Sequence, residues 1–194
     1  MRLLRHLLVA LLVVLTFAVN AAADPVVPGS ALQLAIVSRA HLSFSVAVTN
    51  PTDAPATFDG TGLYFVPLAK EDEPQRLGVV TPGRFASTPN AAEAWGGISV
   101  PAHATVQIAL TSYCLDNHRS SPQETTQYRL ADARLPATLS TALATAARSI
   151  ATTGSEPKET VQRTMPVRSS WTNPRTQSAV WRIRAEIPTP LIGD

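Results

Sequence analysis

His41–Asn50 reads HLSFSVAVTN. Leu42, Phe44, Val46 and Val48 share one parity; Ser43, Ser45, Ala47 and Thr49 share the other. Side chains alternate faces along an extended chain, so this pattern describes a strand with one face in an apolar core and the other turned outward. The stretch NPTDAP (Asn50–Pro55) then ends the strand with residues that preset turn dihedrals or bond their own backbone.

Further strands are expected on both sides. ALQLAIV precedes this segment, and GLYFVPL, the charged turn AKEDEP and QRLGVV follow it. TVQIALTSY places Val106, Ile108 and Leu110 in alternation. DGTGLY from Asp59 reads as a turn before a strand and not as a phosphate loop, because no helix follows it. Short strands with proline and Asx turns between them predict a mainly β fold, an immunoglobulin-like antiparallel β-sandwich over residues 24–112. A smaller α-containing region is expected over residues 113–190. It begins with the polar loop LDNHRSSPQETTQ and the short strand YRLAD. Pro136 then opens a helix in which Leu135, Leu139, Leu143, Ala146 and Ile150 recur at helical spacing, and Gly154 stops it. A second helix has Asn173 as N-cap, Pro174 at its first position and Pro188 beyond its end, with Gln177, Val180, Trp181 and Arg184 on one face.

Residues 1–23 have the layout of a secretory signal peptide: Arg2 and Arg5, an apolar run from Leu7 to Val19, then Ala21 and Ala23 at an A-x-A-like cleavage site. The run is short for a membrane span, which needs roughly 20 apolar residues; an uncleaved anchor is the alternative. Cleavage removes two arginines and no acid, so sixteen basic residues become fourteen against fourteen acids. The mature chain is then near neutral and has no basic patch interleaved with aromatics, which argues against nucleic-acid binding. These features place the protein outside the cell or at its surface, with the periplasm as the other location, and with no integral membrane span after cleavage.

Exported proteins usually pair their cysteines or lack them. This chain keeps one, Cys114, in TSYCLDNHRSSP. An internal disulfide is excluded, so the fold rests on its apolar core. His41, His103 and His118 lack ligand spacing, so no metal site is expected, and no cofactor motif occurs. Cys114 with His118 as a hydrolase pair has no accompanying oxyanion or third-member motif, and enzyme function is not expected.

YCLDNHRSSP, followed at a distance by TQSAVW, resembles the two signature stretches of bacterial thioester domains from cell-surface adhesins. The resemblance covers Tyr113 to Ile187. It implies an internal bond between the Cys114 thiol and the Gln177 carboxamide, with Tyr113, Thr176, Ala179 and Trp181 as supporting motif positions. Such a bond forms when the thiol attacks the amide carbon and ammonia leaves. A target amine or hydroxyl then attacks the thioester carbonyl, stays attached through Gln177 and releases Cys114. The chemistry calls for an enclosure that keeps out water, to which Tyr113 and Trp181 contribute, and for a base, for which His118 is one candidate.

Two function classes follow. One is a secreted or surface module that attaches covalently to an amine- or hydroxyl-bearing target, such as a surface protein. The other is a non-covalent immunoglobulin-like interaction or structural module of the cell envelope, in which Cys114 is an inert buried residue and Gln177 satisfies nearby backbone groups.

Overall fold

The alternation that begins at Leu42 becomes the middle strand of a sheet. The computed structural model describes residues 24–69, 73–80, 97–153 and 174–191. Strand β2 (Ser43–Thr49) pairs over its whole length with β1 (Gln33–Ala40) on one side and β7 (Thr105–Thr111) on the other, both antiparallel. Phe44, Val46 and Val48 are buried, and the residues between them are half-buried. The tight β1–β2 turn holds His41 at φ 52°, in the left-handed region that histidine populates more readily than most residues. Beyond β2, the buried Asn50 side chain organises the expected turn. Its Nδ2 donates to the carbonyls of Ala54 and Val100 at 2.8 and 3.0 Å, and its Oδ1 accepts from the Thr52 N–H at 3.0 Å. Two short strands not expected from the sequence, β3 (Ala56–Phe58) and β6 (Ile98–Val100), form a separate ribbon nearby.

The chain changes sheets at Ser112. This residue is buried, and both its N–H and its hydroxyl donate to the Leu42 carbonyl, at 2.9 and 2.6 Å. The next two residues, β8 (Tyr113–Cys114), form one edge of a four-stranded antiparallel sheet. Its order is β8, β5 (Leu77–Gly78), β4 (Tyr64–Pro67), β9 (Tyr128–Leu130). The division expected between residues 112 and 113 falls within this arrangement: β4 and β5 come from one side of it, β8 and β9 from the other.

The four-stranded sheet is buried on both faces. On one, Phe65, Leu77, Cys114 and Leu130 share a core with Phe44, Val46 and Leu110 of the three-stranded sheet. Phe44 stacks on Phe65 with ring centroids 4.0 Å apart and meets Tyr128 edge-on at 5.9 Å. On the other, Tyr64, Val66, Tyr113 and Leu115 pack with helix α1 (Ala137–Thr153) and helix α2 (Pro174–Glu186) through Leu139, Leu143, Val180 and Ile183. Burial on both faces accounts for the unbroken apolar runs LYFV and LGVV, which do not alternate.

Helix α1 starts where proline was expected to open it, since the Pro136 carbonyl accepts the Ser140 N–H at 2.8 Å. Gly62, at φ 77°, lies so close to this first turn that a Cβ would sit 2.7 Å from Ser140 Oγ. Among the described residues the fold is thus mainly β, antiparallel sheets with two helices. No helix among the described residues is long and apolar enough to cross a membrane. The expected signal peptide (1–23), Asn173 and Gly154 lie outside the described residues.

Candidate functional site

Cys114 reaches a sheet edge because the chain switches sheets two residues earlier. It lies opposite Leu77, and the following Leu115 N–H donates to the Arg76 carbonyl at 2.9 Å. In an antiparallel pair, bonded and non-bonded positions alternate, so the N–H and C=O of Cys114 point away from β5 toward the open edge. The Gln177 side chain meets them there. Its Oε1 accepts the Cys114 N–H at 2.9 Å, and its Nε2 donates to the Cys114 carbonyl at 2.8 Å. The carboxamide takes the place of a peptide group from the neighbouring strand that this edge lacks.

Helix α2 carries Gln177 to that position. Pro174 is its first residue, as expected, with φ already suited to a helix. Thr176, Ala179, Val180 and Ile183 are buried, so the inward line runs through these residues. Gln177, Trp181 and Arg184 lie half-buried along its border. Of the face expected from sequence, Val180 alone sits at the centre, and the other three look across β8.

The supporting residues divide between the two cores. Tyr113 and Cys114 are consecutive strand residues, so Tyr113 enters the helix-side core and Cys114 the core between the sheets. Trp181 packs against the core that holds Cys114. Its buried indole N–H has no hydrogen-bond partner among the described residues, so its contribution there is apolar shielding.

Cys114 is a free, buried thiol. Burial, and then the charge of Asp116, push it up to about 11, so it keeps its proton at neutral pH. Asp116, two residues on, is 2% exposed and faces Arg76, which is 1% exposed. Arg76 grips it through Nε at 2.8 Å and Nη2 at 2.7 Å, and the Arg76 backbone N–H adds a third bond at 3.1 Å. Burial by itself would raise the Asp116 carboxyl; the hydrogen bonds and charge of Arg76, with Arg119 beyond, more than reverse this and hold it below its ordinary value. Arg184 of α2 approaches the same carboxylate at 3.6 Å. The sequence places Arg184 on one face with Gln177 but gives no sign that it meets Asp116. Arg76 was missed because its apolar setting, QRLGVV, gives no sign of a partner 40 residues away.

His118 is exposed and lines an open groove of about 440 Å³ together with Asn117, Trp181 and Arg184. Neither Cys114 nor Gln177 lines that groove, and no hydrogen bond joins His118 to Cys114 among the described residues. The structure therefore unites Cys114, Gln177, Tyr113 and the α2 motif residues, and leaves His118 outside that group. No group of three or more His, Cys, Asp or Glu able to hold a metal occurs among the described residues. No family model, curated protein or solved structure matches the chain.

Proposed function

We propose that this is an exported surface module that attaches to an amine or hydroxyl of its target through an internal thioester between Cys114 and Gln177. The observation that carries this reading is the pair of hydrogen bonds holding the Gln177 carboxamide on the backbone of Cys114, across 63 residues of sequence. The two sheets that share a core are read here as an immunoglobulin-like sandwich, with the helices packed on its outer face.

The chemistry balances without a cofactor. The Cys114 sulfur attacks the Gln177 amide carbon, and the C–N bond breaks. The thiol proton leaves with the nitrogen as ammonia, so that a thioester remains. During the attack, negative charge gathers on Oε1. The Cys114 N–H, already 2.9 Å from that atom, lies within the range at which a fixed donor stabilises an oxyanion. Trp181 and the surrounding apolar side chains exclude the water that would hydrolyse the product. A target amine then adds to the same carbonyl, the Cys114 thiol leaves, and an amide to Gln177 results; a hydroxyl gives an ester.

Intact mass tests the reading. The mature protein is expected to be lighter than its sequence by one ammonia, to gain methylamine on incubation with it, and to lose both behaviours in Cys114→Ala. A full sequence mass with a titratable thiol would overturn it. The second reading is a non-covalent envelope module in which Gln177 only completes the β8 edge. What favours it is that the same two hydrogen bonds already engage both the oxygen and the nitrogen of the carboxamide, while burial keeps the thiol protonated.

A further inference from the structure

Helix α2 is tied by polar contacts to the segment carrying Cys114 at two points. One is the Gln177 pair. The other lies two turns later, where Arg184 Nη2 stands 3.6 Å from Asp116 Oδ1 while Nη1 donates to the Thr189 carbonyl at 2.9 Å. Asp116 cannot follow a moving helix. Arg76 holds both of its oxygens, and the Arg76 carbonyl accepts the Leu115 N–H at 2.9 Å, which ties that segment to the strand end carrying Cys114.

A helix fixed at one point can still turn about its axis or swing about that point; one fixed at two points about 10 Å apart along its axis can do neither. Sliding by one residue moves a side chain about 1.5 Å along the axis and about 100° around it, enough to take the Gln177 carboxamide off both groups of Cys114. An attack on an amide carbon tolerates no such displacement, since a misplacement of about 1 Å can cost a hundredfold in rate.

We propose that Arg184 and Asp116 are positioning residues that hold Gln177 in register with Cys114 for thioester closure, an inference that rests on the thioester reading. Asp116 keeps both of its bonds to Arg76 when Arg184 is replaced, and the 3.6 Å approach of Arg184 is longer than a hydrogen bond, so little global stability rests on it. The clasp is therefore expected to govern closure far more than folding.

The experiment compares Arg184→Met, Arg184→Lys and Arg182→Gln with the wild type, by the fraction of molecules lacking one ammonia at a fixed time after refolding and by melting temperature. Arg182 is exposed on the same helix and serves as the charge-matched control. The expected result is at least a fivefold lower ammonia-deficient fraction in Arg184→Met, partial recovery in Arg184→Lys, no change in Arg182→Gln, and a melting temperature within a few degrees of wild type throughout. A wild type with full sequence mass overturns both the thioester reading and the clasp. A wild type with the deficit and an Arg184→Met that closes equally well overturns the clasp alone. The clasp also falls if Arg182→Gln loses closure to the same extent, or if the loss in Arg184→Met follows a collapse in melting temperature. Should Arg184→Met not fold, Arg184→Lys decides: closure at the wild-type rate, despite a point charge replacing the fork that reaches Asp116 and Thr189, overturns the proposal, and slowed closure in a folded protein upholds it.

Discussion

In the three-stranded sheet, β2 is bonded along its full length on both sides, and its buried side chains are all hydrocarbon. At the seam between β8 and α2, a strand of two residues is closed on its outer side by one carboxamide, and one buried carboxylate is shared among arginines. The first region gains its stability from burial in proportion to area, with little dependence on the exact mate of each side chain. The second depends on a few atoms lying within a few tenths of an ångström of their places, because a buried polar group without its partner costs more than the bond contributes. Stability and positional accuracy are thus assigned to different parts of one small molecule, and the part with the demanding geometry contains both residues of the proposed bond.

Three substitutions, from the largest effect down, and one titration test that contrast. Phe44→Ala empties the contact between the two sheets and is expected to cost about 4 kcal/mol in denaturant unfolding. Asp116→Ala leaves Arg76 buried without its partner and is expected to cost about 3 kcal/mol. If it costs less than a few tenths, the seam carries no strain from its buried charge and the contrast fails. Gln177→Ala removes two neutral hydrogen bonds at a partly exposed edge, for about 1.5 kcal/mol. That loss should appear as faster hydrogen exchange of the Cys114 amide, with the amides of β2 unchanged. Protection lost equally in both regions would show them to be one cooperative unit.

The last test is a titration. In the unreacted thiol form, the raised Cys114 pKa means that the folded state favours the neutral thiol. Its contribution is complete below the ordinary value of 9.0 and is lost as pH rises toward about 11. Stability between these limits should fall more steeply in the thiol form than in Cys114→Ala, and alkylation by iodoacetamide should be slow at pH 7 and accelerate across the same range. A protein closed as the thioester has no thiol to titrate, and its curve should follow that of Cys114→Ala.

Much of this was legible beforehand, and the reason differs by element. β2 was legible because one buried face imposes a period of two; α1 because Leu139 and Leu143 recur after a proline that can only begin a helix. The ribbon of β3 and β6 was not. Each has three residues, too few to show a period, and they pair across 39 intervening positions. The candidate pair of Cys114 and Gln177 was legible as two residue types in a resembling pattern. The Arg76–Asp116 pair was not, because nothing local in QRLGVV or CLDNH distinguishes a buried charge from an exposed one.

The sequence by itself determined which segments extend and which coil, since these follow from side-chain period and from the dihedral limits of proline and glycine, both local properties. It also set the supply of reactive groups at one thiol. Only the tertiary structure decided which face of the four-stranded sheet Cys114 enters, that its outer edge is closed by Gln177 and not by another strand, and that His118 stands apart from it. These outcomes depend on where the chain crosses at Ser112 and how α2 comes to rest on β8, and such relations between distant segments are settled by packing and not by any local pattern.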